Sequence, residues 1–279
     1  MASSPQGTHT LISNPPPAMI LCGGQGTRLR DVTELLPKPM VPVGPQPIVW
    51  HIMKGYAALG VKRFILCLGY KREAFIDYFL NYHARATDMT VSLGKQNGIT
   101  FHGRHGEEDW DVTLTDTGDR TMTGGRIARA AKYLKPDDKE FFLTYGDAVA
   151  DIDFAALLAY HRKSDKLLTV SAVHPAGRYG ELAIDESGMV TGFHEKPKTE
   201  RGFINGGFMV ADRSMPERYL NTDGALIFEQ EPMRNILRDG KIGAFHHQGF
   251  WQCMDNAREH QLLNEIWDSG KAPWTRYWR

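Results

Sequence analysis

Three apolar runs, each stopping at a glycine, constrain this chain more than any other feature of its sequence. Ala18-Met19-Ile20-Leu21-Cys22 leads into Gly23-Gly24, Phe64-Ile65-Leu66-Cys67-Leu68 into Gly69, and Phe141-Phe142-Leu143-Thr144 into Tyr145-Gly146-Asp147. Runs that are apolar at every position belong to strands buried on both faces, as in parallel sheets covered by helices. Helical spacing fills the intervals. Ile48, Ile52, Met53 and Tyr56 share a face over residues 48–59, closed by Gly60, and further helices are expected over 72–82, 154–164 and 256–267. Strand, helix, strand in this order implies right-handed βαβ units and a doubly wound, Rossmann-like α/β sheet. Residues 177–210 read as short alternating strands between Gly and Pro, which predicts a smaller antiparallel region and a mixed sheet.

Composition narrows the classes of function. The chain has 279 residues, 42% of them hydrophobic, enough to bury a core without disulfides or a structural metal. Lys plus Arg and Asp plus Glu are both 33, so there is no basic excess to mark a nucleic-acid binder or a membrane-surface protein. Cys22, Cys67 and Cys253 are odd in number and widely spaced, which fits reduced thiols in a cytoplasmic protein. No apolar run approaches the roughly 18 residues needed to span a bilayer. Residues 1–17 are polar and Pro-rich, lack the pattern of a secretory signal, and are expected to be a disordered extension. No repeat or compositional break divides residues 18–279, which are expected to form one domain.

The loop after the first strand carries chemistry. In Gly23-Gly24-Gln25-Gly26-Thr27-Arg28, three glycines let the backbone wrap an anion, Thr27 adds a hydroxyl donor and Arg28 a fixed charge. The dinucleotide fingerprint needs G-x-G-x-x-G and the P-loop needs Gly-Lys-Ser/Thr; this loop has neither. Downstream, Lys38 stands between Pro37 and Pro39, a stiff backbone that holds an ammonium in place at little entropic cost. Asp147 follows a buried strand and a glycine, so its carboxylate should project at the strand's C-terminal end, where open α/β sheets bind ligands.

GGQGTRL followed by LPKPM strongly resembles the signature of the sugar-phosphate nucleotidyltransferases. The segments at 47–54, 114–119, 122–126, 205–208, 250–252 and 270–274 resemble its glucose-1-phosphate cytidylyltransferase branch in particular. The resemblance implies CTP and a sugar 1-phosphate as substrates, Mg²⁺ as cofactor, and CMP transfer with release of pyrophosphate. It implies Gly23, Gly24, Gly26, Thr27, Arg28, Lys38, Thr117 and Arg126 at the nucleotide. Gly180, Glu195, Lys196 and Asn205 fall at the sugar phosphate, Asp147 and Asp255 at the metal, and Arg28, Lys38 and Lys196 are the catalytic cations. Asp151 and Asp153 are read instead as caps of the helix at Phe154. The chain departs from the branch at Leu35-Leu36, where a more basic approach is usual, and at Ala148, where glycine is usual. The same machinery could serve another phosphorylated or phosphonate acceptor, or another nucleotide, and a non-catalytic nucleotide sensor is a further alternative. The five charged groups kept together favour an enzyme. The partners expected are small molecules, with no nucleic acid and no membrane, and a homo-oligomeric assembly. His51, His174, His194, His246 and His247 lack metal-ligand spacing and are expected in packing or loops. Trp274, Tyr277 and Trp278 are expected at an interface or in a packed tail.

Overall fold

The computed structural model describes residues 11–24, 35–94, 98–175, 181–184, 189–194 and 202–278. Seven strands form the central sheet: β1 Ala18–Leu21, β2 Arg63–Leu68, β3 Asp111–Asp116, β4 Glu140–Tyr145, β5 Leu168–Val173, β6 Ile204–Asp212 and β7 Ile242–His247. Their spatial order is β7-β5-β6-β4-β1-β2-β3. β6 runs antiparallel to both neighbours and the other pairings are parallel, so the sheet is mixed as expected.

The apolar runs are buried on both faces, for the reason their pattern implied. Ala18, Ile20 and Cys22 of the first run pack with Phe64, Leu66 and Phe142 on one side of the sheet. Met19 and Leu21 pack with Ile65, Cys67, Phe141 and Leu143 on the other. Helix Ile48–Ala57 covers the first face through Ile48, Ile52, Met53 and Tyr56. Helix Thr123–Ala130 covers the second through Ile127 and Ala130. The helix Phe154–Lys163 is capped by Asp153, which accepts the Ala156 N–H at 2.9 Å.

Four expectations change. Of the extension expected over 1–17, residues 1–10 lie outside the described residues, while 11–17 are tied to the body rather than disordered: the Ile12 N–H donates to the Leu59 carbonyl at 2.9 Å and the Phe142 N–H to the Pro17 carbonyl at 2.9 Å. Burial of Pro16 and Pro17 against the sheet supplies the apolar contact that their polar surroundings concealed. The helix expected over 72–82 divides at Asn81 into Arg72–Leu80 and Tyr82–Ala86. The stretch 177–210 holds the expected antiparallel hairpin, Glu181–Ile184 with Val190–His194, but residues 204–212 are a strand of the main sheet. Asp151 does not cap the helix: its carboxylate accepts the Phe250 N–H at 2.6 Å and lies 3.1 Å from His247 Nε2. The C-terminal aromatics form a packed tail, with Trp274 buried and its indole N–H donating to His51 Nδ1 at 3.2 Å.

Candidate active site

The chain leaves β1 toward β2 and β3 on one side and returns to β4 on the other, so the strand order reverses between β1 and β4. Such a reversal opens a crevice at the C-terminal ends of the strands. A cleft of about 670 Å³ lies there, lined by Gly23 and Gly24 after β1, Asp147 after β4, Lys38, and Asp255 from the C-terminal region.

Lys38 opens a short 3-10 helix, Lys38–Met40, started by Pro37 in extended conformation. Pro39 and Met40 are buried, which anchors the turn and aims the ammonium into the cleft. There Lys38 Nζ donates to Asp147 Oδ2 at 2.7 Å and to Asp255 Oδ1 at 2.5 Å. Its side chain is only 11% exposed. Burial alone would push the ammonium's pKa down, but the two carboxylates outweigh it and hold the group above its ordinary value. Lys38 thus pairs with the two acids, an arrangement the sequence reading, which sent it to phosphates, did not contain.

The two acids are 108 residues apart in sequence and are joined by a small ladder. Residues 148–150 pair antiparallel with 251–253, with Ala148 opposite Cys253, and the Met254 N–H donates to the Asp147 carbonyl at 2.8 Å. Asp255 is then fixed by its own N–H, which donates to Glu259 Oε2 at 2.6 Å at the start of helix Ala257–Asp268. Two carboxylates converging on a single point are the hard oxygen donors that Mg²⁺ takes while keeping waters, so the residues present fit such an ion.

Arg126 and Thr117, expected at the nucleotide, form a buried brace under the glycine turn. Arg126 Nη2 donates to the carbonyl of Gly23 at 2.8 Å, and Nη1 donates to the Leu68 carbonyl at 3.0 Å and to Thr117 Oγ1 at 2.8 Å. Thr117 is fully buried and donates its hydroxyl to the Leu68 carbonyl at 2.6 Å. The guanidinium therefore fastens the C-terminal ends of β1 and β2 and the loop after β3. It approaches so closely that a Cβ at Gly23 would lie 2.1 Å from Nη1.

Asn205 reaches the same sheet edge because β6 runs antiparallel to β4, with Phe208 opposite Thr144. Its side-chain carbonyl accepts the Gly207 N–H at 2.9 Å, and Gly207 adopts a positive φ of 79°, which favours glycine. Trp251 Nε1 donates to the Gly206 carbonyl at 2.7 Å and links this turn to the ladder that carries Asp255. Gly26, Thr27, Arg28, Gly180, Glu195 and Lys196 lie outside the described residues. The sequence reading missed Tyr145 and Glu229, and took Thr123 only as part of the 122–126 segment. The Tyr145 hydroxyl donates to Glu229 Oε1 and Thr123 Oγ1 to Glu229 Oε2, the latter at 2.6 Å, with Tyr145 and Thr123 lining the cleft. The only signal for Tyr145 was its place between the apolar run and Asp147.

The nucleotidyl transferase family matches residues 17–271. The chain belongs to that family. Glucose-1-phosphate cytidylyltransferases of Salmonella typhi and Salmonella typhimurium are each 46% identical to this nucleotidyltransferase over 257 residues, which cover 92% of it and 98% of them. A probable glucose-1-phosphate cytidylyltransferase of Bacillus subtilis is 39% identical over the same shares. Among solved structures, HddC from Yersinia pseudotuberculosis complexed with GMP-PN is similar at 25% identity with a TM-score of 0.64, covering 90% of the nucleotidyltransferase and 99% of HddC. The resemblance drawn from the glycine loop and Pro-Lys-Pro segment thus agrees with the family match. Among the described residues, no helix of the nucleotidyltransferase is long and apolar enough to cross a membrane.

Proposed function

We propose that the chain transfers CMP from CTP to glucose 1-phosphate, releasing pyrophosphate and giving CDP-glucose, with Mg²⁺ as cofactor. The observation that carries this reading is the 46% identity to glucose-1-phosphate cytidylyltransferases over nearly the full length of both chains. A cleft that gathers Lys38, Asp147 and Asp255 at the sheet reversal supports it.

Glucose 1-phosphate is largely ionised at neutral pH, its second pKa being about 6, so its oxygen needs no protein base to become a nucleophile. A bond forms from that oxygen to the α-phosphorus of CTP, the bond to pyrophosphate breaks, and no covalent enzyme intermediate intervenes. The obstacle is repulsion between two polyanions, so positioning and fixed positive charge carry the rate. In this reading the N–H groups of Gly23, Gly24, Gly26 and Thr27 and the charge of Arg28 hold the triphosphate. Thr117 and Arg126 keep the loop in shape from beneath. Asp147 and Asp255 hold Mg²⁺, which when bound neutralises phosphate charge. Lys38, released from the two acids, turns its ammonium to the phosphates. Lys196 binds the phosphate of the acceptor, with Glu195, Gly180 and the amide of Asn205 toward the sugar. The enzyme acts in the cytoplasm as a homo-oligomer in this reading, consistent with thiols at Cys22, Cys67 and Cys253 that are free rather than bridged.

The test is pyrophosphate release across each nucleoside triphosphate paired with a panel of sugar phosphates and phosphonates. CTP with glucose 1-phosphate should give the highest kcat/KM. A clear preference for another nucleotide or acceptor would overturn the substrate assignment, and no turnover with any pair would favour the sensor alternative.

A further inference from the structure

A cluster of side chains away from the cleft has the composition of a transition-metal site. Helix Tyr82–Ala86 carries His83, and the loop that enters β3 carries His105 and Glu108. One nitrogen from each histidine and one Glu108 oxygen lie within 4.8 Å of one another. His105 Nε2 and His83 Nδ1 are 3.1 Å apart. Two ligands with bonds of about 2.0 Å in a tetrahedral shell stand roughly 3.3 Å apart, so the imidazoles already have the spacing of neighbouring ligands. Glu108 is exposed, and its carboxylate can close the remaining distance while the open side admits water. Arg104, 4.0 Å from Glu108 and 91% exposed, is free to swing into solvent.

A buried carboxylate lies behind His105. Its second nitrogen, Nδ1, is 3.6 Å from Glu107 Oε2, and both side chains are about one-tenth exposed. Glu107 is itself fixed by Lys54 Nζ at 2.6 Å and by the Tyr82 hydroxyl, which donates at 3.1 Å. A metal-bound histidine characteristically presents its other N–H to an oriented carboxylate, which sets the tautomer and raises the ligand's basicity. Nδ1 accepts the Glu107 backbone N–H at 3.2 Å, and Nε2 is the nitrogen turned toward His83. Coordination at Nε2 places the ring proton on Nδ1, which then exchanges the Glu107 backbone N–H it accepts for the Glu107 carboxylate 3.6 Å away.

We propose that His83, His105 and Glu108 bind one Zn²⁺-class divalent ion, with Glu107 orienting His105, as a clasp at the foot of the hairpin Asp88–Val91/Ile99–His102. Imidazole donors distinguish it from the oxygen site at Asp147 and Asp255, where Mg²⁺ chemistry belongs. The loop lies next to the N-terminal end of β3, whose Asp111 N–H donates to Lys62, whereas the cleft lies at the C-terminal ends of the strands. The site therefore acts on the fold and not on the transfer.

The experiment is calorimetry of Zn²⁺ into tag-free, chelator-stripped full-length chain in excess Mg²⁺, with a parallel Co²⁺ absorption spectrum. One ion should bind per chain. Glu107→Gln should bind it roughly 10–100-fold more weakly. Glu108→Gln, at an exposed position that leaves the fold intact, should also weaken it, and His83→Gln with His105→Gln should abolish it. Zn²⁺ should raise the melting temperature of the parent chain and not that of the double variant. No binding by the parent chain, or parent-like binding by folded Glu108→Gln and by the double variant, would overturn the proposal. A thiolate charge-transfer band in the Co²⁺ spectrum would also overturn it, by placing the ion on Cys253 beside Asp255 and Glu259.

Discussion

Lys38→Met keeps the length of the side chain and removes the charge that bridges Asp147 and Asp255. Laid end to end, the two contacts limit the carboxylate oxygens to about 5 Å apart. Two unit charges at that distance repel by about 3 kcal/mol at an effective dielectric constant near 20. The acids are 33% and 26% exposed, so solvent screening leaves on the order of 1–2 kcal/mol. A divalent ion held by the same oxygens removes that repulsion, and in the variant it no longer competes with an ammonium. Mn²⁺, titrated without nucleotide and followed by paramagnetic resonance, should therefore bind Lys38→Met roughly 5–30-fold more tightly than the parent chain. Turnover should move the opposite way. Loss of a charge-assisted contact worth about 1.5–3 kcal/mol lowers kcat/KM by roughly one to two orders of magnitude. Tighter metal binding with slower transfer is the signature expected. If the folded variant binds Mn²⁺ no more tightly than the parent, Asp147 and Asp255 are not the ion's ligands.

Three further outcomes are expected. Asp147→Asn and Asp255→Asn should each slow metal-dependent turnover far more than they lower the unfolding midpoint, and near-normal rates of both at limiting Mg²⁺ would contradict the metal assignment. Lys196→Ala should raise the KM for the acceptor by about tenfold or more while calorimetry of CTP without acceptor stays unchanged; lost CTP binding with intact acceptor kinetics would exchange the two sides of the site. His51 is 2% exposed, donates from Nε2 to the Val43 carbonyl and accepts the Trp274 indole N–H, and burial lowers its pKa from 6.5 to about 4. The unfolded chain takes up this proton first, so stability is full above about pH 6.5 and falls by up to about 3 kcal/mol as pH drops to about 4. Urea midpoints against pH should show that slope, and His51→Gln should lack it.

How much of the fold is legible in the sequence depends on the range over which each signal acts. Apolar runs ending in glycine specify strands locally, and β1, β2 and β4 fall on the runs Ala18–Cys22, Phe64–Leu68 and Phe141–Thr144 to within a residue or two at their ends. The helix over Phe154–Lys163 and its Asp153 cap are equally local. Strand 204–212 does not join the smaller region, because its neighbours are chosen by the sheet and not by its own pattern. The Asp88–Val91/Ile99–His102 hairpin gives little signal, since it packs little core on either face and its residues are exposed. Proline-rich residues 11–17 look like a tail because an ordered extended segment without repeating side-chain period has no local signature.

The site shows the same division, with a chemical reason. Pro37-Lys38-Pro39 announces a held ammonium, and Lys38 is held, but what it holds depends on a three-residue ladder between 148–150 and 251–253 that no local pattern reveals. The glycine turn announces an anion cradle, yet Gly23 also answers to Arg126 beneath it. With a Cβ only 2.1 Å from the guanidinium, any side chain at 23 must displace Arg126 from the Gly23, Leu68 and Thr117 oxygens it joins. A buried guanidinium stripped of those acceptors is costly, so the brace and the glycine depend on each other. Arg126 thus lines the cleft and at the same time fixes from beneath the glycine backbone whose N–H groups would face an anion there.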